Sequence, residues 1–100
     1  MSNYVYILKC GDGSLYTGYT TDLKKRLKAH NDGIASKYTA SHLPVKMVFS
    51  EECIDKSDAL KKEYFIKTLT RENKIKLIQN KLSLQNLYDK YLLKNNEKRK

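Results

Sequence analysis

The stretch Tyr4-Val5-Tyr6-Ile7-Leu8, then Gly11-Asp12-Gly13-Ser14, then Leu15-Tyr16-Thr17-Gly18-Tyr19-Thr20 decides the fold. Aromatic and β-branched residues dominate the outer segments and turn residues separate them, so the three together predict a β-hairpin. Working outward, Thr21-Asp22 supplies a helix cap and a first-turn acid. Leu23, Leu27 and Ala29 then recur near helical spacing until the stop at Asn31-Asp32-Gly33. From Ile34 to Pro44 the chain is polar and punctuated, which predicts a loop with a little helix. Val45-Lys46-Met47-Val48-Phe49 alternates as a third strand, reaching toward Cys53.

Ser57-Asp58 is expected to cap a helix through Leu60, Tyr64, Phe65, Ile66 and Leu69, and Thr70 another with Ile75, Leu77 and Ile78 on its apolar side. Leu84, Leu87, Tyr88, Tyr91 and Leu92 continue at helical spacings before the polar end. The order β-β-α-β-α-α predicts an α+β fold, a three-stranded, mainly antiparallel sheet flanked by helices. Residues 1–82 are expected to form the domain and 83–100 a C-terminal helical extension with a basic tail.

Composition narrows the partners. The chain has 100 residues, enough for one core, with 40% hydrophobic and 31% charged residues and a mean hydropathy of -0.69, a globular balance with a polar surface. Twenty Lys and Arg against 11 Asp and Glu leave a net charge of +9, so polyanions attract it through a long-range, salt-sensitive force. DNA is the leading partner, with RNA open. A membrane surface is disfavoured, because no apolar run of roughly 18 residues, lipidation signal or leader pattern appears. The expectation is a cytoplasmic protein that works at the nucleoid. Cys10 and Cys53 lack metal-ligand spacing and read as small packing residues.

Chemistry-bearing residues recur in a pattern. Tyr6 and Tyr16 sit on the two arms of the hairpin, close enough across an antiparallel pair to flank one small site. Arg26 and His30 share a helix face at i,i+4, and Glu63 and Lys67 repeat that spacing on the later helix. Each has an ordinary reading as well. Strand tyrosines usually pack, and this chain has eight; His30 can complement a helix dipole, and Glu63 with Lys67 can be a surface pair worth about 0.3–0.5 kcal/mol.

Val5-Tyr6-Ile7 and Tyr16-Thr17-Gly18, followed by Thr20-Thr21-Asp22-Leu23-Lys24-Lys25-Arg26-Leu27-Lys28-Ala29-His30-Asn31, resemble the two signature segments and first helix of the GIY-YIG nuclease superfamily. Lys37-Tyr38-Thr39, the strand around Val48-Phe49-Ser50-Glu51 and the segment from Ala59 to Lys67 resemble its small single-domain bacterial branch. The likeness runs over residues 3 to 80. It implies a metal-dependent endonuclease that hydrolyses phosphodiester bonds in DNA, in repair or in processing of structured DNA. It further implies that Tyr6 and Tyr16 are the signature tyrosines, Arg26 the phosphate-facing arginine, Glu63 the sole metal-ligating carboxylate and His30 a group near the nucleophile. Tyr4 stands where the first signature has Gly, Val5 where it has Ile or Leu, and Thr17 replaces the Ile of the second.

The chemistry is coherent without the family. Hydrolysis must activate a water and neutralise phosphoryl oxygens. One Mg²⁺ or Mn²⁺ on Glu63 and waters, Arg26 on the phosphate, and Tyr6 as general base, with Tyr16 second and His30 sharing proton transfer, meet those needs. Lys24, Lys25, Lys28, Lys37 and Lys67 are the expected nucleic-acid contacts. No extra recognition module accompanies the core, so substrate choice is expected from shape, a partner protein or a dimer. The competing readings are a nucleic-acid-binding module that does not cut, and a protein-interaction adaptor.

Overall fold

The computed structural model describes residues 2–98, with side chains through Asn95; Arg99 and Lys100 of the basic tail lie outside the described residues. Eight elements are seen among them: β1 (Asn3–Lys9), β2 (Leu15–Thr20), α1 (Leu23–Asn31), α2 (Lys37–Ala40), β3 (Lys46–Cys53), α3 (Lys56–Thr68), α4 (Arg71–Ile78) and α5 (Leu84–Lys98). The three strands form an antiparallel sheet in the order β2-β1-β3. The α+β class and the sheet expected from the sequence are therefore present.

β1 is the central strand, and Val5, Tyr6, Ile7 and Leu8 are all buried. Both of its faces are covered, which is why it reads as an unbroken apolar run rather than an alternating one. On one face Tyr6 and Leu8 join Cys10 and Val45, with Tyr16, Leu23, Leu27 and Met47 packed against them, so α1 covers this side. On the other, Glu51 is opposite Val5 in the β3 register and lies in the field of Lys62, which brings α3 to that side. A register irregularity between Ile7 and Leu8 shifts β3 by one residue, so that Leu8 pairs with Met47 after Ile7 has paired with Phe49.

Capping agrees with the sequence at α4, where Thr70 accepts from Asn73 N–H at 3.2 Å, and is shifted at α1 and α3. At α1 Asp22, expected as the first-turn acid after a Thr21 cap, is itself the cap and accepts from Lys25 N–H at 3.0 Å. At α3 the cap is Asp55, which accepts from Asp58 N–H at 2.8 Å, whereas Ser57-Asp58 was the expected start. Asp58 instead reaches back to Ile54 N–H at 2.9 Å and also holds buried Lys62 at 3.1 Å. The reciprocal bonds satisfy two donors that a helix start leaves open, and they move the start two residues earlier.

Contacts group the chain into two compact units, residues 1–67 and 68–100. α4 falls with α5 in the second unit. Within that second unit Leu77, Leu84 and Tyr88 are buried, and Tyr88 stacks near Tyr91 at 6.2 Å.

Candidate active site

The β1–β2 register sets the site. Tyr6 is opposite Gly18 and Tyr16 is opposite Leu8, so the two tyrosines are diagonal neighbours on one face of the hairpin. Gly18 is where it is because the Tyr6 ring lies across it. A Cβ built on Gly18 would stand 2.6 Å from Tyr6 Cζ, and its three nearest neighbours are all Tyr6 side-chain atoms. The absent side chain thus makes room for a tyrosine of the same protein.

From that position the Tyr6 hydroxyl reaches His30 Nε2 at 2.7 Å. His30 is 1% exposed, although it stands near the end of α1, where a solvated histidine would complement the dipole. Its burial is permitted because both ring nitrogens have partners, Nδ1 meeting Thr39 Oγ1 at 2.9 Å. Thr39 Oγ1 donates to Ser36 C=O at 3.3 Å, so it is the acceptor for His30. The network therefore assigns the proton to Nδ1 and the lone pair to Nε2, and Tyr6 donates its hydroxyl proton to that lone pair.

Burial raises the Tyr6 pKa well above its usual value, with the nearby Tyr16 adding to the effect, Arg26 opposing it and Glu63 adding a smaller rise. Burial, then the Arg26 charge, lowers that of His30. Phenol and imidazole are accordingly both neutral at rest. The same fields place Arg26 and Glu63 within electrostatic reach of the Tyr6 hydroxyl. Arg26 makes no ion pair among the described residues, and it lines a pocket with Thr20, Thr21, Asp22, Lys25 and Ala29. Glu63 follows buried Lys62 on α3, and the turn of about 100° per residue points the two side chains in different directions. Its side chain is 22% exposed and its ion pair with Lys67 is long, 3.9 Å.

Tyr6, Tyr16, Arg26, His30 and Glu63 are thus brought to one region. The expected cations separate into groups. Lys24 and Lys25 are exposed and make no ion pair among the described residues, Lys28 is held by Asp32 at 2.6 Å, Lys67 leans toward Glu63, and Lys37 opens α2. Residues to which the sequence assigned no chemical role also build the site. Thr39 orients His30; Asn31 ties α1 to Val45, the residue before β3, donating at 3.0 Å and accepting at 2.9 Å; Tyr38 stacks near Tyr16 at 6.2 Å and on His42 at 4.3 Å. Ser36 followed by Thr39, the cap spacing of a one-turn helix, is the signal that could have placed Thr39.

The family model described as the GIY-YIG catalytic domain matches residues 2–76, every site residue included. The chain belongs to the GIY-YIG superfamily. Among its GIY-YIG relatives, a UPF0213 protein of Clostridium perfringens is 52% identical over 88 residues, 88% of this chain and 95% of that protein. A UPF0213 protein of Staphylococcus saprophyticus is 54% identical over 76 residues, 76% of this chain and 93% of that one. The solution NMR structure of a UPF0213 protein from Bacillus halodurans is 44% identical, with a TM-score of 0.53 over 81% of this chain and 86% of its own. A solution NMR structure from E. faecalis is 39% identical, with a TM-score of 0.53 over 92% and 88%. These place the chain in the small bacterial branch of a nuclease superfamily, whose substrate class is nucleic acid. No helix among the described residues is long and apolar enough to cross a membrane.

Proposed function

We propose that this chain is a metal-dependent endonuclease that hydrolyses a phosphodiester bond in DNA, with Tyr6 as the group that takes the proton from the attacking water. The observation that carries the reading is the Tyr6–His30 hydrogen bond, made within electrostatic reach of one free guanidinium and one carboxylate. A buried phenol is a poor base by itself, because its phenolate is left unsolvated. Here the phenolic proton has a destination. As Tyr6 accepts a proton from water, its own passes to His30 Nε2, while Nδ1–H stays anchored on Thr39. The phenol relays a proton and never has to persist as a free phenolate. Arg26, which already favours the ionised phenol, neutralises the phosphoryl oxygens, its planar fork matching two of them. Tyr16, diagonal to Tyr6 and edge-on to the His30 ring, is the second choice as base.

The donor set suits one hard cation. Among the described residues no three His, Cys, Asp or Glu side chains gather as a ready-made cage, and Glu63 offers a half-buried carboxylate with only a long ion pair. Such a set fits Mg²⁺ or Mn²⁺, ions that keep their waters and take remaining ligands from substrate phosphate, and does not fit zinc. When bound, the ion would supply Lewis-acid charge at the phosphate. The proposal extends to repair or processing of structured DNA, to work at the nucleoid in the cytoplasm, and to a partner protein that directs substrate choice. These rest on the small, basic form of the chain and on the family.

The test is incubation with plasmid, branched and single-stranded DNA in Mg²⁺ or Mn²⁺, comparing the wild type with Glu63→Gln and Tyr6→Phe. Expected is metal-dependent cutting that each substitution lowers by about 10²-fold or more, with salt-sensitive binding retained. Binding without cutting on every substrate would support a nucleic-acid-binding module instead.

A further inference from the structure

The segment between α1 and β3 presents an unusual surface. Ile34, Tyr38 and Leu43 are among the large apolar side chains exposed there, Tyr38 at 43%. The segment is also tied directly to the site. Thr39 of α2 holds His30, and Tyr38, its neighbour in sequence, continues outward from Tyr16. The Tyr16 and Tyr38 planes are 18° apart and those of Tyr38 and His42 also 18° apart, so three flat rings run as one near-parallel ladder from the reacting groups to solvent. The outer ring is held by a hydrogen bond to the neighbouring backbone. His42 Nδ1 donates to Tyr38 C=O at 2.6 Å, and its Nε2 faces Asp12 at 3.5 Å. Lys37, exposed and beside Tyr38, makes no ion pair among the described residues.

From this juxtaposition we infer that Tyr38 and His42 form a stacking shelf for one unpaired nucleobase of the strand whose phosphate enters the site, with Lys37 on that strand's backbone. The inference rests on the DNA-cutting reading above and narrows it to substrates with a single-stranded or unpaired nucleotide at the cut. Near-parallel aromatic rings, Tyr38 among them 43% exposed, beside a cation with no ion pair among the described residues are what an unstacked base and its phosphate require. A paired base is already stacked in its duplex and gains nothing from such a shelf. Continuity with Tyr16 selects this occupant over a protein partner, since the ladder ends on the residues that would handle the phosphate.

The test separates the shelf from the nuclease. With the full-length protein and no divalent metal, binding of a short single-stranded oligonucleotide and of its duplex is followed by anisotropy, with 2-aminopurine in the strand as a fluorescent report of stacking. Tyr38→Ala and Tyr38→Leu are expected to weaken single-strand binding about tenfold and to abolish the 2-aminopurine quenching, while Tyr38→Phe keeps both. Duplex binding should change less than about twofold, because it depends on phosphate contacts. Tyr38→Leu preserves apolar contact without a flat face, and an unchanged thermal transition confirms that each variant is folded. Equal losses on single strand and duplex, or a quenching signal indifferent to Tyr38, overturn the shelf. If Tyr38-dependent stacking appears in a protein that cuts nothing with metal added, the hydrolytic reading alone fails; if cutting occurs with Tyr38-independent binding, the shelf alone fails. A protein that neither binds nor cuts refutes both.

Discussion

Replacing Gly18 by Ala tests the site's construction with a single methyl group. The new Cβ would stand 2.6 Å from Tyr6 Cζ, short by 0.8 Å of an ordinary 3.4 Å contact, so the ring must swing away. The backbone adds no strain of its own, since Gly18 is not among the positive-φ glycines, Gly13 and Gly33. Overpacking of this kind costs about 1–3 kcal/mol, and loosening the buried Tyr6–His30 bond adds about 1 kcal/mol. The expected destabilisation is therefore about 2–4 kcal/mol, a large part of the roughly 5–15 kcal/mol available to a small domain. Misplacing the phenol by about 1 Å should also lower cleavage about 10²-fold.

Urea unfolding provides the assay, performed as a double-mutant cycle with Tyr6→Leu. The three nearest neighbours of the added Cβ all belong to Tyr6, so on the Leu background the same Gly18→Ala change should cost nothing or stabilise by about 0.5–1 kcal/mol, the usual advantage of Ala over Gly within a strand. A Gly18→Ala protein of wild-type stability would refute the close approach. An equal penalty on both backgrounds would refute Tyr6 as its cause.

The remaining predictions concern protons and charge. Burial and Arg26 lower the folded-state pKa of His30, so below about 6.5, its usual value, the unfolded chain binds a proton that the folded chain resists. The contribution of His30 to stability should therefore decline as pH falls through that window and be flat above it. The difference in urea midpoint between wild type and His30→Asn should shrink from pH 7.5 toward pH 5, and a difference independent of pH would contradict the assigned neutral state. Replacing Lys24 or Lys25 by Gln should reduce the slope of log binding constant against log salt by about 0.7–0.9 each, as expected for a lost phosphate contact. Lys28→Gln should change it less, because Asp32 already neutralises that ammonium at 2.6 Å; an equal change at all three positions would show that ion pairing does not grade these lysines.

The local pattern of residues was enough for the secondary structure and for part of the site. Turn residues between two apolar runs specified the hairpin, helical spacing put Arg26 and His30 on one face, and Asp22 and Thr70 announced the starts of their helices. Such signals are legible because they depend on backbone periodicity and on hydrogen bonds spanning a few residues. The tertiary structure alone decided that Tyr6 rather than Tyr16 holds His30, a bond between residues 24 apart in the chain, and that Gly18 yields its space to the Tyr6 ring. It alone buried His30 by supplying Thr39 from a short helix beyond the turn, and it placed Tyr38 beside Tyr16. Whether a polar side chain is buried depends on whether distant segments complete its hydrogen bonds, and no local period records which distant segment that will be.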